Sequence, residues 1–186
     1  MKLQDKKRIN AILFFAGKSP DYQINRLKLM KLLWITDRIH LNRYGRMILR
    51  DQYYALPHGP IPSKTTNWSN ENIDDVFLVE DYKLTAEDNF NSKYFSKSDL
   101  NVMEEVWEKL GRMNESNLRN YSHRFPEWLR FEKELEDENR PDGYPMVIDD
   151  FFTSPIMNTG YDHNNEQSEI AKDIFKQHNT IQDALS

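Results

Sequence analysis

The chain has 186 residues, enough for one ordinary domain with a core of its own; apolar residues make up 38% of it and the mean hydropathy is -0.83. It contains no cysteine, which excludes disulfides, thiolate catalysis and cysteine-based zinc sites. The net charge of -5 hides an asymmetry: residues 1–50 carry 12 Lys and Arg against 3 Asp and Glu, and the remainder carries 13 against 27.

The basic start and short apolar run of MKLQDKKRINAILFFAGKSP have the length and period of a helix rather than of a secretory leader. No apolar run approaches the roughly 18 residues of a membrane span. The expectation is a soluble, cytoplasmic protein. Ile9, Ile12, Leu13 and Ala16 recur at helical spacing, predicting a helix over 5–17 that Gly17 ends in a left-handed stop. Residues 18–23 read as a loop. Asn25 offers a cap for a long helix to about Tyr44, ended by Gly45. Its apolar residues wrap more than half of its circumference, which makes it central to the core.

Residues 47–56 carry no helical stripe. Pro57 and Pro60 bias the residues before them toward extended backbone, and Pro62 suits the first turn of a helix through Trp68. VFLVEDYKLT, residues 76–85, reads as two short strands about a Glu80-Asp81 turn. Such a hairpin must find a third strand or a helix to lie on. Ser96 and Asp99 form a near capping box for a third long helix through Leu110, stopped by Gly111. Asn114 caps a short helix, and Pro126 opens another, PEWLRFEKELEDE, with Trp128, Leu129, Phe131 and Leu135 on one face. Residues 139–145 are turn-rich, and 147–152 re-enter the core. Beyond a polar stretch over 159–167, Ile170, Ile174 and Phe175 mark a short amphipathic helix. The fold class is mainly α with a small β element (α+β). The division expected is a globular domain over 1–155 and a polar carboxy-terminal tail over 156–186.

Chemistry is sparse. The histidines, His40, His58, His123, His163 and His178, include no close metal-binding pair; His58 and His123 are the two that the fold could bring together. No G-x-S-x-G and no glycine-rich phosphate loop is present, and the carboxylate pairs read as solvated faces. No enzyme and no cofactor is indicated. Arg38, Arg43, Arg46 and Arg50, with Tyr44, Tyr53 and Tyr54, compose a basic, aromatic stretch that suits a phosphate backbone or an acidic protein surface. The alternative to a surface is that these cations meet the acidic remainder of the same chain.

Four segments in order resemble a known family: KLMKLLW from Lys28, HLNRYG from His40, ALPHGPIP from Ala55, and YSHRFPEW from Tyr121. FSKSDLNVMEEVWEKLG, residues 95–111, fits between the last two. Together they are similar to the Panacea domain, the SocA-like antitoxin domain, across about residues 5–152. The motif positions are Lys28, Lys31, Leu32, Tyr44, Gly45, His58, Gly59, Pro60, His123 and Trp128. The resemblance implies a helical domain with a small sheet and no catalytic activity. It also implies a bacterial, often phage-associated, antitoxin whose partner is a cognate toxin protein, with delivery of that toxin to a ClpXP-type protease in some members. Arg46, Arg50, Tyr53 and Tyr54 are the partner-binding candidates. The second reading is a nucleic-acid-binding autorepressor that uses the basic first third. His58, in the Pro-Gly corner, is expected to shape the fold and to bond across to the segment near His123.

Overall fold

The computed structural model describes residues 1–155, 159–161 and 164–184; His163 lies outside the described residues. Helix α2 (Arg26–Tyr44) is the axis of the molecule. Every residue from Leu29 to Asn42 is buried, and α1 (Leu3–Lys18), α4 (Lys97–Leu110), α5 (Glu115–Ser122) and α7 (Asn165–Ala184) pack around it. The start of α2 is set by Asn25, whose side chain accepts from the Lys28 amide at 3.2 Å. Its end is set by Gly45 in the left-handed conformation (φ 64°). The capping box of α4 is complete: Ser96 Oγ accepts from the Asp99 amide, and Asp99 accepts from the Ser96 amide.

Two small antiparallel sheets flank the helices. In the first, the hairpin β4 (Phe77–Glu80) and β5 (Lys83–Ala86) gains its third strand from β1 (Gln23–Asn25), with Ile24 opposite Leu84. The turn is Asp81-Tyr82, one residue later than the sequence suggested, with Asp81 at positive φ. The outer edge of β4 is closed by its own preceding loop. Phe77 exchanges backbone hydrogen bonds with Ile73, and the Val79 amide donates to the Asn72 side chain. In the second sheet β2 (Tyr53–Leu56) lies between β3 (Gly59–Pro62) and β6 (Tyr144–Pro145), and the short helix α3 (Ser63–Trp68) follows β3.

Three local expectations give way. Gly17 does not stop α1. The helix runs on to Lys18 and ends where Ser19 donates its amide to Ala16 and its hydroxyl to Phe15, with Pro20 beyond. The helix begun by Pro126 is only α6 (Pro126–Leu129), followed by turns. Its continuation would put Glu132, Glu134, Glu136, Asp137 and Glu138 at a helix carboxy terminus, where the dipole disfavours negative charge. Instead Phe131 stacks on Tyr144 (5.3 Å, 4°) and Arg130 pairs with Asp150. The amphipathic segment near the carboxy terminus is longer than expected. Helix α7 docks on α2 through buried Ala171 and Ser168, with Phe175 against Phe152. Gly45 makes this approach possible, since a Cβ there would lie 2.6 Å from the Ala171 carbonyl oxygen. Thr159, within the stretch read as polar, is buried and its carbonyl accepts from Tyr121. No helix among the described residues is long and apolar enough to cross a membrane.

Candidate functional site

The motif residues converge on one corner. Strands β2 and β3 are joined by the two-residue turn Pro57-His58, and Gly59 leaves it at φ 92°. A Cβ on Gly59 would meet Ser122 Oγ at 2.4 Å and Lys31 Cε at 2.9 Å, so β3 passes between α2 and α5 only as bare backbone. Lys31 is 1% exposed and donates to the Pro60 carbonyl at 2.8 Å, and burial drives its pKa well below the usual lysine value. Across the turn, the Trp128 indole donates to the Leu56 carbonyl at 2.9 Å. His123 stacks on that indole with ring centroids 3.6 Å apart. Burial, followed by the charge of Arg119, lowers His123 to about 4, and its Nε2 is buried without a hydrogen bond. His58 is exposed, and no hydrogen bond joins it to the His123 segment; Trp128 and Lys31 make the bonds expected of it. Among the described residues no group of three or more histidines and carboxylates is arranged to hold a metal ion. Of the other motif positions, Leu32 is in the core and Lys28 donates to the Gly111 carbonyl at 2.5 Å, closing the end of α4. Tyr44 lies against His40 at 4.6 Å and is 42% exposed.

The stretch after α2, residues 45–51, is held by buried carboxylates. Asp37 accepts from the amides of Ile48 (2.7 Å) and Leu49 (2.9 Å) and from the Tyr53 hydroxyl (2.7 Å). Burial pushes its carboxyl up to about 6 in spite of these bonds. Asp51 accepts from the amides of Gln52, Lys64 and Thr65 and from the Thr65 hydroxyl. Asp99 is desolvated, which alone would raise its pKa. His40, Lys7 (2.7 Å) and Arg46 (2.6 Å) outweigh that and hold it far below the usual carboxylate range. His40 Nδ1 carries a proton, because its partner at 2.8 Å is the Arg46 carbonyl.

Ion pairs link the two oppositely charged parts of the chain. Cations of the first third meet carboxylates of the remainder within the same chain: Arg38 with buried Glu127 (2.8 Å), Arg43 with Glu105 (2.5 Å), Lys18 with Glu104 (2.7 Å), and Lys7 and Arg46 with Asp99. Burial raises the Glu127 pKa, with Arg38 opposing. Of the four partner-binding candidates, Tyr53 is 2% exposed and bound to Asp37, so it presents no surface. Tyr54 is half-buried on β2. Arg46 is partly exposed around its Asp99 pair. Arg50 is exposed, and among the described residues only its backbone carbonyl is engaged, by Arg8 at 2.9 Å. Sequence reasoning missed Asp37 and Asp51 as organising residues. The available signal was a charged pair, Asp37-Arg38, on a helix apolar around most of its girth.

A family model described as antitoxin SocA-like, Panacea domain, matches residues 29–129, from the first turn of α2 to the end of α6. No curated protein and no solved structure matches the chain.

Proposed function

The chain belongs to the family of SocA-like antitoxins with a Panacea domain, and from that membership we propose that it binds and neutralises a cognate toxin by protein–protein contact, without catalysis. The supporting observation is where the motif side chains go. Lys31, Gly59, Pro60 and Trp128 brace a hairpin against α2 and α5, so they build a scaffold, and recognition falls to the surface that the scaffold carries. A complex of standard size would bury on the order of 1,600 Å². Arg50, Arg46 and Tyr54 are the anchors proposed here, since arginine and aromatic side chains dominate such interfaces. The recognition domain is assigned to residues 1–155 and an added segment to 156–186. Handing the toxin to a ClpXP-type protease is a further step of the same proposal. The autorepressor reading is the less favoured, because six of the twelve basic residues of 1–50 are paired with carboxylates.

The test is co-expression with the product of the adjacent gene, read by co-purification and by growth. The expected result is a neighbour that arrests growth alone, co-purifies with this chain and is silenced by it. A harmless neighbour that does not co-purify overturns the proposal.

A further inference from the structure

Residues 45–51 and the later turns of α7 enclose a groove of about 270 Å³, lined by Arg46, Met47, Arg50, Ile148, Phe175 and His178. We propose that this groove docks an acidic peptide segment of a protein partner, which sets a carboxylate against Arg50 and an apolar side chain against Met47, Ile148 and Phe175. The proposal rests on the reading that this chain works by binding another protein, and it names the chemistry of the segment bound.

Charge is the first argument. The Arg50 guanidinium has no partner among the described residues, whereas Arg8, Arg38, Arg43 and Arg46 each face a carboxylate. Asp51 also borders the groove, but its side chain is fully buried and already accepts from four donors. Asp99 lies behind Arg46 and is held by Lys7 and His40 as well. Asp149, next to Ile148, is 3.7 Å from Lys172. A cationic groove thus opens on a chain whose net charge is -5, which selects acidic segments.

Shape is the second. A free inorganic anion gains nothing from a wall of Met47, Ile148 and Phe175, and a nucleic-acid backbone needs a row of cations rather than one short groove. The volume falls just below the range of about 300–1,000 Å³ typical of small-molecule pockets, which suits a few side chains better than a cofactor. Preorganisation is the third. Asp37, His40, Gln4 and Arg8 bind the backbone of residues 46–50, so little ordering remains to be done when a ligand arrives.

The test is an NMR titration of the full chain with acetyl-Glu-Phe-Glu-Leu-Asp-amide, with its Gln and Asn counterpart, and with inorganic phosphate. The expected result is saturating amide shifts over residues 45–51 and 170–178, with affinity for the acidic peptide about tenfold above that for the neutral one. Arg50→Glu, at an exposed position, is expected to abolish the shifts; His178→Glu, also exposed, weakens them. No shift at these residues, equal response to the neutral peptide, or equal affinity for phosphate overturns the proposal. So does a duplex oligonucleotide that displaces the peptide from the groove. Failure of the co-purification above would remove the antitoxin reading and leave this titration to judge the groove by itself.

Discussion

The hairpin corner and the stretch 45–51 both hang from α2, and they are tied down by opposite chemistry. At the corner, donors from the helices reach backbone carbonyls: Lys31 to Pro60 and Trp128 to Leu56. In the stretch 45–51, carboxylates gather backbone amides and hydroxyls, as Asp37 and Asp51 do. The buried lysine at the corner, Lys31, faces a backbone carbonyl, while the buried carboxylate Asp99 has Lys7, Arg46 and His40 around it. The two regions therefore respond oppositely to acid. His123, lowered to about 4 from 6.5, binds protons more readily in the unfolded chain, so its share of stability is lost as pH falls from 6.5 toward 4. Asp37, raised from 3.8 to about 6, binds them more readily in the folded chain, so stability is gained as pH falls from 6 to 3.8. Below that, Asp99 reverses the sign: its lowered pKa contributes stability above 3.8 that is lost on further acidification. Where an amide needs a partner a carboxylate suffices, and where a carbonyl needs one the chain accepts a desolvated lysine.

The contrast is sharpest at Gly59. Gly59→Ala meets Ser122 and Lys31 at contact distances no Cβ tolerates, at a φ that strains alanine, and is expected to cost about 4 kcal/mol in chemical denaturation. A midpoint near wild type would show that the corner yields. Asp37→Ala strands two buried amides and a tyrosine hydroxyl, for an expected loss of about 3 kcal/mol. A much smaller loss would mean that water reaches residues 48–49. Trp128→Phe keeps the stack on His123 and removes the bond to Leu56, for about 1–2 kcal/mol by thermal or denaturant melts. His123→Phe separates the two regions by pH. Its stability relative to wild type is expected to improve steadily between pH 6.5 and 4, and a constant difference across that window would remove His123 from the account. His58→Ala, at an exposed turn, is expected to stay within about 0.5 kcal/mol. A larger loss would restore His58 as a brace of the corner.

What the sequence made legible was local. Asn25, Gly45, Ser96 with Asp99, and Asn114 each act within four residues of themselves, so a cap or stop could be read from spacing alone. Strand β1 escaped because three residues are too few to establish a period and its partner, β5, lies some sixty positions away. Strand β6 escaped because two residues carry no period at all. The same distance hid the candidate site. Asp37 serves residues 48, 49 and 53, Trp128 serves Leu56, and Arg50 earns its place in the groove only because α7 returns to it. The motif HGP pointed to the right corner and to Gly59 in it, but the bond expected of His58 is absent. Histidine is the conspicuous residue there, but Gly59 and a lysine on another helix carry the geometry.

The closed edge of β4 bears on how the chain behaves in company. With Phe77 paired to Ile73 and Val79 to Asn72, the strand offers little open ladder to a passing chain, and Pro60 and Pro62 withhold amides along β3. Strand addition at these two edges is a poor route for association, whether to itself at high concentration or to a partner. Contacts made there have to be made by side chains, which discriminate between sequences in a way that a bare backbone edge does not.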